Sequence, residues 1–169
     1  MQGDRLVGHA ARFNQPAKVL VNGRVVTERF APGAFTRTLA ERRDVVGLLD
    51  HDVSKVIGRT SNNTLRLSED ATGLAFEALL PDTGYARDAH ALAKRGDMGG
   101  GSIGFRAVKE TWNADRTERT IHDADLFEVS AISAVPAYDT VVHARAAEHA
   151  EPLTARQRRL RLIEFGGSQ

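Results

Sequence analysis

The stretch that most constrains this chain is Gly99-Gly100-Gly101-Ser102-Ile103-Gly104-Phe105, a hydroxyl side chain set among four glycines and followed at once by apolar residues that read as a buried strand. Consecutive glycines open backbone conformations closed to other residues and let a second segment approach closely. Ser102 is therefore the first candidate for chemistry. Gly and Ser also dominate ordinary turns for conformational reasons alone, so the stretch acquires meaning only from the rest of the chain. Its 169 residues are enough for one domain with a core of its own, and 41% hydrophobic with 27% charged residues is ordinary for a globular protein. The absence of cysteine excludes disulfides, a thiol nucleophile and thiolate metal sites. A net charge of +1 gives no basis for bulk nucleic-acid binding. The N-terminal Met1-Gln2-Gly3-Asp4-Arg5 lacks a signal-peptide core, and no run approaches the roughly 20 apolar residues of a membrane span. The expectation is a cytoplasmic protein without a membrane partner.

Along the chain, Leu6 to Phe13 reads as a strand, and Val19-Leu20-Val21 and Val25-Val26 flank Asn22-Gly23, a hairpin signal because both turn positions need positive φ. Pro32 suits a helix start, and Phe35 and Leu39 share a face of a short helix over Thr36 to Arg43. Val45 to Leu49 reads as a buried strand that delivers Asp50-His51-Asp52 at its end; strands follow at Lys55 to Arg59, around Leu65 and Leu67, and from Leu74 to Leu80. Asp82 or Thr83 caps a helix to about Arg95, with Ala86, Ala89, Leu92 and Ala93 on one face and Gly96 as its stop. Ser102 to Thr111 is a strand, Trp112 to Arg119 a polar hairpin or loop, Thr120-Ile121-His122 the start of the return, and Asp125 to Val135 a buried strand ended by Pro136. Ala144 to Ala150 reads as a linker, and Leu153, Leu160 and Ile163 line one side of an Arg-rich terminal helix.

A serine becomes nucleophilic when a neighbouring base takes its proton, and the base works best when a third group fixes its tautomer. The sequence supplies one residue for each role: Ser102 in the glycine loop, His51 beyond a buried strand and Glu128 inside an apolar one. Taken singly, His51 also suits a solvated loop, and Glu128 an edge-strand carboxylate paired with a surface arginine. The pairs His51-Asp52 and His122-Asp123 are formally metal-ligating combinations, but both adjoin strand-like segments and no helical pair of ligands accompanies them. Arg156, Arg158, Arg159 and Arg161 cluster without interleaved aromatics, which reads as a solvated helix face.

In order along the chain stand Phe30-Ala31-Pro32-Gly33-Ala34-Phe35, Leu48-Leu49-Asp50-His51-Asp52 with Ile57-Gly58-Arg59, Gly101-Ser102-Ile103-Gly104-Phe105, and Leu126-Phe127-Glu128-Val129-Ser130 with Val135-Pro136-Ala137. This series resembles the prohead serine peptidases of tailed bacteriophages over roughly residues 5 to 145. The resemblance implies an α+β, mostly β fold similar to the herpesvirus assemblin peptidases, with an antiparallel seven-stranded barrel-like core and surrounding helices. A peptidase domain is expected over residues 1–145, and the linker and Arg-rich helical tail over 146–169 lie beyond the resemblance. By the same resemblance the chain would be a serine endopeptidase of capsid maturation; no metal or cofactor is expected. It would cleave the scaffold or the N-terminal scaffolding segment of the major capsid protein, and also itself, inside the procapsid in the host cytoplasm, as a homodimer or self-associating species. Residue by residue, Ser102 matches the nucleophile, His51 the general base, and Glu128 the position of the third member. The herpesvirus enzymes use a second histidine in that role, for which His122 is the nearby candidate. The oxyanion that develops in acyl transfer needs preformed donors, for which backbone amides of the glycine loop are candidates, while Arg106 suits either that role or a solvent-facing position. The competing reading is a non-catalytic capsid-assembly or scaffold-interaction protein of the same fold. The Gly-Xaa-Ser-Xaa-Gly pattern of an α/β-hydrolase is formally present from Gly100 to Gly104, without the alternating strand and helix order that such a fold needs.

Overall fold

The computed structural model describes residues 3–134, 140 and 142–145. Their elements are β1 (Arg5–Arg12), β2 (Ala17–Val21), β3 (Arg24–Phe30), α1 (Thr36–Ala40), β4 (Val46–Leu49), β5 (Asp52–Arg59), β6 (Leu65–Glu69), β7 (Gly73–Leu79), α2 (Gly84–Arg95), β8 (Gly100–Trp112), β9 (Glu118–Ile132) and β10 (Val142–Arg145). The strands form two sheets, one ordered β10-β1-β7-β6, the other built on β9. Along β9, β8 pairs antiparallel from Arg119 to Ile132. β3 pairs parallel with residues Glu118 to Ile121 and β4 with Glu128 to Ala131, so these two strands lie one after the other along the opposite edge. β2 and β5 extend that sheet outward as hairpin partners of β3 and β4.

The expected seven-stranded barrel is thus corrected to two sheets that are not closed into a barrel. Among the described residues they meet through an isolated bridge between Phe13 and Phe30 rather than through a continuous ladder. Among the described residues β10 and β6 end the first sheet, β2 and β5 end the second, and β8 pairs with β9 alone, so no ladder joins the two sheets into a closed ring. Most pairings are antiparallel, as expected. The core lies between the sheets, where Phe30 packs at a tilt against Phe35 at 5.1 Å and meets Phe105 edge-on at 5.0 Å, among Leu6, Leu74, Ile121 and Leu126. The close approach that the glycines promise occurs at Gly101, where a Cβ would fall 2.4 Å from the His9 carbonyl oxygen of β1.

The Asn22-Gly23 hairpin forms with positive φ at both residues (49° and 78°). α2 ends at Gly96 with φ 83° and hydrogen bonds from Gly96 N to Ala93 O and from Asp97 N to Leu92 O, a Schellman stop. Its small face, Ala86, Ala89 and Ala93, is buried against β10, β1 and β5. α1 is shorter than expected, five residues, and has no side-chain cap of its own. Glu69 at the end of β6 supplies one from outside, accepting Phe35 N–H at 2.9 Å and the Thr36 hydroxyl. A carboxylate at a helix N-terminus satisfies otherwise orphaned donors. Residues 118–132, read from the sequence as a return followed by a separate strand, form one continuous 15-residue strand. Ala144 and Arg145, expected in a linker, belong to β10. Pro136 and the terminal helix expected beyond residue 150 lie outside the described residues.

Candidate active site

β8 and β9 carry two of the three candidate residues on one face of their ladder. Ser102 stands directly opposite Ser130, and Gly104 opposite Glu128. Side chains two apart on a strand share a face, so Glu128 and Ser130 project together beside Ser102. Gly104 makes room for the carboxylate: a Cβ there would lie 3.1 Å from both Glu128 Cβ and Oε2.

His51 arrives from the other direction. β4 and β5 are joined by Asp50 and His51 alone, with Leu49 paired to Asp52. Both joining residues have positive φ, 51° and 57°, the pattern of a two-residue type I′ turn. Aspartate tolerates that region and histidine enters it more often than most residues, but two in succession must be held by their surroundings. The Asp50 carboxylate accepts Ser133 N–H at 2.6 Å and the Ser133 hydroxyl at 2.8 Å, and Asp50 N donates to Ala131 O at 2.9 Å. His51 N donates to Ser130 Oγ at 3.2 Å. The turn is thereby pinned to the end of β9, and the imidazole lies over the β8–β9 face.

Three side chains distant in sequence meet as a result. His51 Nε2 lies 3.0 Å from Ser102 Oγ, and His51 Nδ1 lies 2.6 Å from Glu128 Oε1. An ionised carboxylate only accepts, so Nδ1 carries the proton, and in the neutral ring Nε2 presents its lone pair to the Ser102 hydroxyl. Glu128 Oε1 also accepts the Ser130 hydroxyl. Ser102 is 7% exposed while the His51 side chain is 45% exposed, so the serine is recessed and the base faces solvent. A hydroxyl, an acceptor nitrogen and a charge-orienting carboxylate in this order can move a proton off serine as it attacks an electrophile.

The other sequence candidates lie elsewhere. His122 Nε2 is hydrogen-bonded to Thr111 Oγ1 at 2.9 Å, away from His51. Asp52 is engaged by Ser54 and Lys55, and Asp123 by Arg37. Among the described residues no His, Asp and Glu side chains group as metal ligands. Arg106 is committed to Asp125 at 2.5 Å, as is Arg37 at 2.6 Å. Hydrogen bonds from these two guanidinium groups hold the Asp125 carboxyl down at about 2. The glycine-loop amides are also partly engaged: Gly99 N donates to Ile132 O at 2.8 Å and Gly101 N to the buried Thr140 hydroxyl at 2.7 Å, while Thr140 donates back to Gly101 O at 2.9 Å. Sequence reasoning assigned no role to Ser130, Gly104 or Thr140. The signal for the first was its spacing of two from Glu128 on a strand, and for the second its spacing of two from Ser102.

The profile of the caudovirus prohead serine protease family matches residues 2–154. No curated protein matches the chain in sequence. Among solved structures, the protease of Kaposi's sarcoma-associated herpesvirus in complex with a hexapeptide phosphonate inhibitor is similar with a TM-score of 0.50 and 10% identity, over 99% of this chain and 78% of that one. The same viral protease in complex with a dimer disruptor gives 0.46 and 8%, over 99% and 92%. At 10% identity the first likeness is one of fold: mostly β with two helices, similar to the herpesvirus protease. Among the described residues no helix is long and apolar enough to cross a membrane.

Proposed function

The chain belongs to the caudovirus prohead serine protease family, and on that premise we propose that it is a serine endopeptidase of capsid maturation in which Ser102 is the nucleophile, His51 the general base and Glu128 the residue that orients the base. The observation that carries the reading is the unbroken relay from Ser102 Oγ through the two ring nitrogens of His51 to Glu128, at 3.0 and 2.6 Å. As Ser102 Oγ bonds to a peptide carbonyl carbon, its proton passes to His51 Nε2. When the C–N bond breaks, that proton leaves with the amine. Water then attacks the acyl carbon, giving a proton to Nε2, and that proton passes to Ser102 Oγ as its bond to the acyl carbon breaks and the new carboxyl terminus leaves. Throughout, Glu128 stabilises the imidazolium and keeps Nδ1 protonated.

The substrates proposed are the scaffold or the scaffolding segment of the major capsid protein, and the chain itself, inside the procapsid; family membership supports this class. Self-association is proposed with it. A non-catalytic assembly role is the competing reading, and the relay speaks against it, since a chain relieved of turnover has no need of a histidine held at positive φ between a serine and a carboxylate.

Intact-mass analysis after fluorophosphonate treatment tests the proposal. The parent is expected to gain one adduct at Ser102 that is absent in Ser102→Ala and His51→Ala, with labelling that rises with protein concentration if self-association completes the site. Labelling absent at every concentration, with capsid protein present as well, would establish the non-catalytic reading.

A further inference from the structure

We infer that Ser130 is a positioning residue of this site, holding His51 to one ring orientation and one tautomer through a closed loop of hydrogen bonds. The inference deepens the peptidase reading and rests on it. Ser130 is fully buried, at 0% exposure, within a strand whose neighbours Val129 and Ala131 are core residues. A buried hydroxyl costs free energy unless it is hydrogen-bonded, and both partners of this one belong to the relay. Its lone pair accepts His51 N–H at 3.2 Å, and its single proton goes to Glu128 Oε1. That same oxygen accepts His51 Nδ1–H at 2.6 Å. The loop therefore starts at the backbone of His51, passes through Ser130 and Glu128, and closes on the ring of His51.

Three consequences follow from the geometry. The Glu128 carboxylate cannot turn Oε1 away from the ring without losing two bonds at once. The His51 amide, in a backbone conformation of φ 57°, is fixed on the sheet rather than to solvent. The direction of each bond is set as well: with the hydroxyl proton and Nδ1–H both aimed at Oε1, the free lone pair of the ring is at Nε2, toward Ser102. Ser130 is not a second nucleophile, because its proton is given to a carboxylate and no ring nitrogen faces it. Alanine at this position would leave His51 N–H without its acceptor and Glu128 Oε1 with one donor instead of two.

The test reads proton NMR and fluorophosphonate labelling rate on the full chain. In the parent, the His51 Nδ1 proton, identified by its loss in His51→Ala, and the Ser130 hydroxyl proton should both be protected from solvent exchange. In Ser130→Ala the Nδ1 signal should shift and exchange faster, with labelling slowed about tenfold, the scale of one lost hydrogen bond. Ser130→Thr, which keeps the hydroxyl, should restore the signal and most of the rate. An unchanged Nδ1 signal with parent-like labelling in a folded Ser130→Ala overturns the inference, and so does rapid exchange of the Ser130 hydroxyl in the parent. If circular dichroism finds Ser130→Ala unfolded, Ser130→Cys, slightly larger, replaces the hydroxyl by a weak donor; parent-like signal and rate there overturn the inference, and a slowed rate with faster Nδ1 exchange supports it. The two readings separate cleanly: a parent whose Nδ1 signal responds to Ser130→Ala but whose Ser102 never labels retains the positioning role and loses the peptidase.

Discussion

Gly104 shows how a missing side chain shapes this site. It faces Glu128 across the ladder, and a methyl group there would sit 3.1 Å from both the Cβ and Oε2 of that residue. The φ of Gly104 is not positive, so alanine there meets no backbone penalty of the left-handed kind. Its effect falls on the carboxylate, which must give way by a few tenths of an ångström and take the His51 contact with it. Misplacements of about 1 Å in a catalytic constellation cost on the order of a hundredfold. Gly104→Ala is therefore expected to slow fluorophosphonate labelling of Ser102 by about tenfold while leaving the urea midpoint close to that of the parent; equal labelling rates would mean that Glu128 has room to move without consequence. Gly101, in contrast, cannot be probed so simply, because its absent Cβ is replaced by the backbone of β1.

At the scale of elements, α2 offers a stability prediction that leaves the site alone. Its stop residue Gly96 has φ 83°, and a Cβ added there meets nothing within 4 Å. Gly96→Ala should cost only the backbone strain of a left-handed alanine, about 1 kcal/mol, read as a lower urea midpoint with an unchanged slope and unchanged labelling of Ser102. This stop, like the Asn22-Gly23 hairpin, was legible in the sequence because each depends on a few adjacent residues whose φ requirements select glycine or asparagine. The β4–β5 connection was not: Asp50-His51 carries no glycine, and its two positive φ values are imposed by Ser130, Ala131 and Ser133, some 80 residues away in sequence. The length of β9 was hidden for a similar reason. Its polar stretch from His122 to Asp125 is tolerated inside a strand because Arg37 and Arg106, from α1 and β8, take up the carboxylates. Ser102 and His51 stood out at the ends of apolar runs and Glu128 inside one, whereas Ser130 passes for a small residue in a buried strand until its partners are seen. Whether two sheets close into a barrel depends on which strands pair across long separations in sequence, a matter on which local pattern is silent.

At the scale of the whole molecule, carboxylates tie distant parts of the chain together, and this gives its stability a definite dependence on pH. Asp125, with a side chain only 4% exposed, joins α1 and β8 to β9 through Arg37 and Arg106, with Arg43 at 3.5 Å. Its carboxyl is held at about 2, below the ordinary 3.8, by the hydrogen bonds of Arg37 and then Arg106. Asp44 is lowered by hydrogen bonds from Ser61, and Asp52 by those from Ser54. At Asp70, burial pushes upward, but the contact with His9 and the amides of Thr72 and Gly73 bring the net shift below the ordinary value. A group whose folded value is depressed binds its proton more readily when unfolded. Its stabilising contribution is complete above the unfolded value and is lost as pH falls through the folded one. For Asp125 that window runs from about 3.8 down to about 2. Stability measured by urea unfolding should hold level from neutrality to about pH 5 as far as these groups are concerned, then fall steadily toward pH 2. Asp125→Asn should be less stable than the parent at pH 7, since three arginines lose a shared carboxylate, and the gap between the two should close toward pH 2 as the parent itself becomes neutral there. A gap that stays constant across that range would assign the role of Asp125 to packing and neutral hydrogen bonds, and would remove the charge of this residue as the tie between α1, β8 and the strand that carries Glu128.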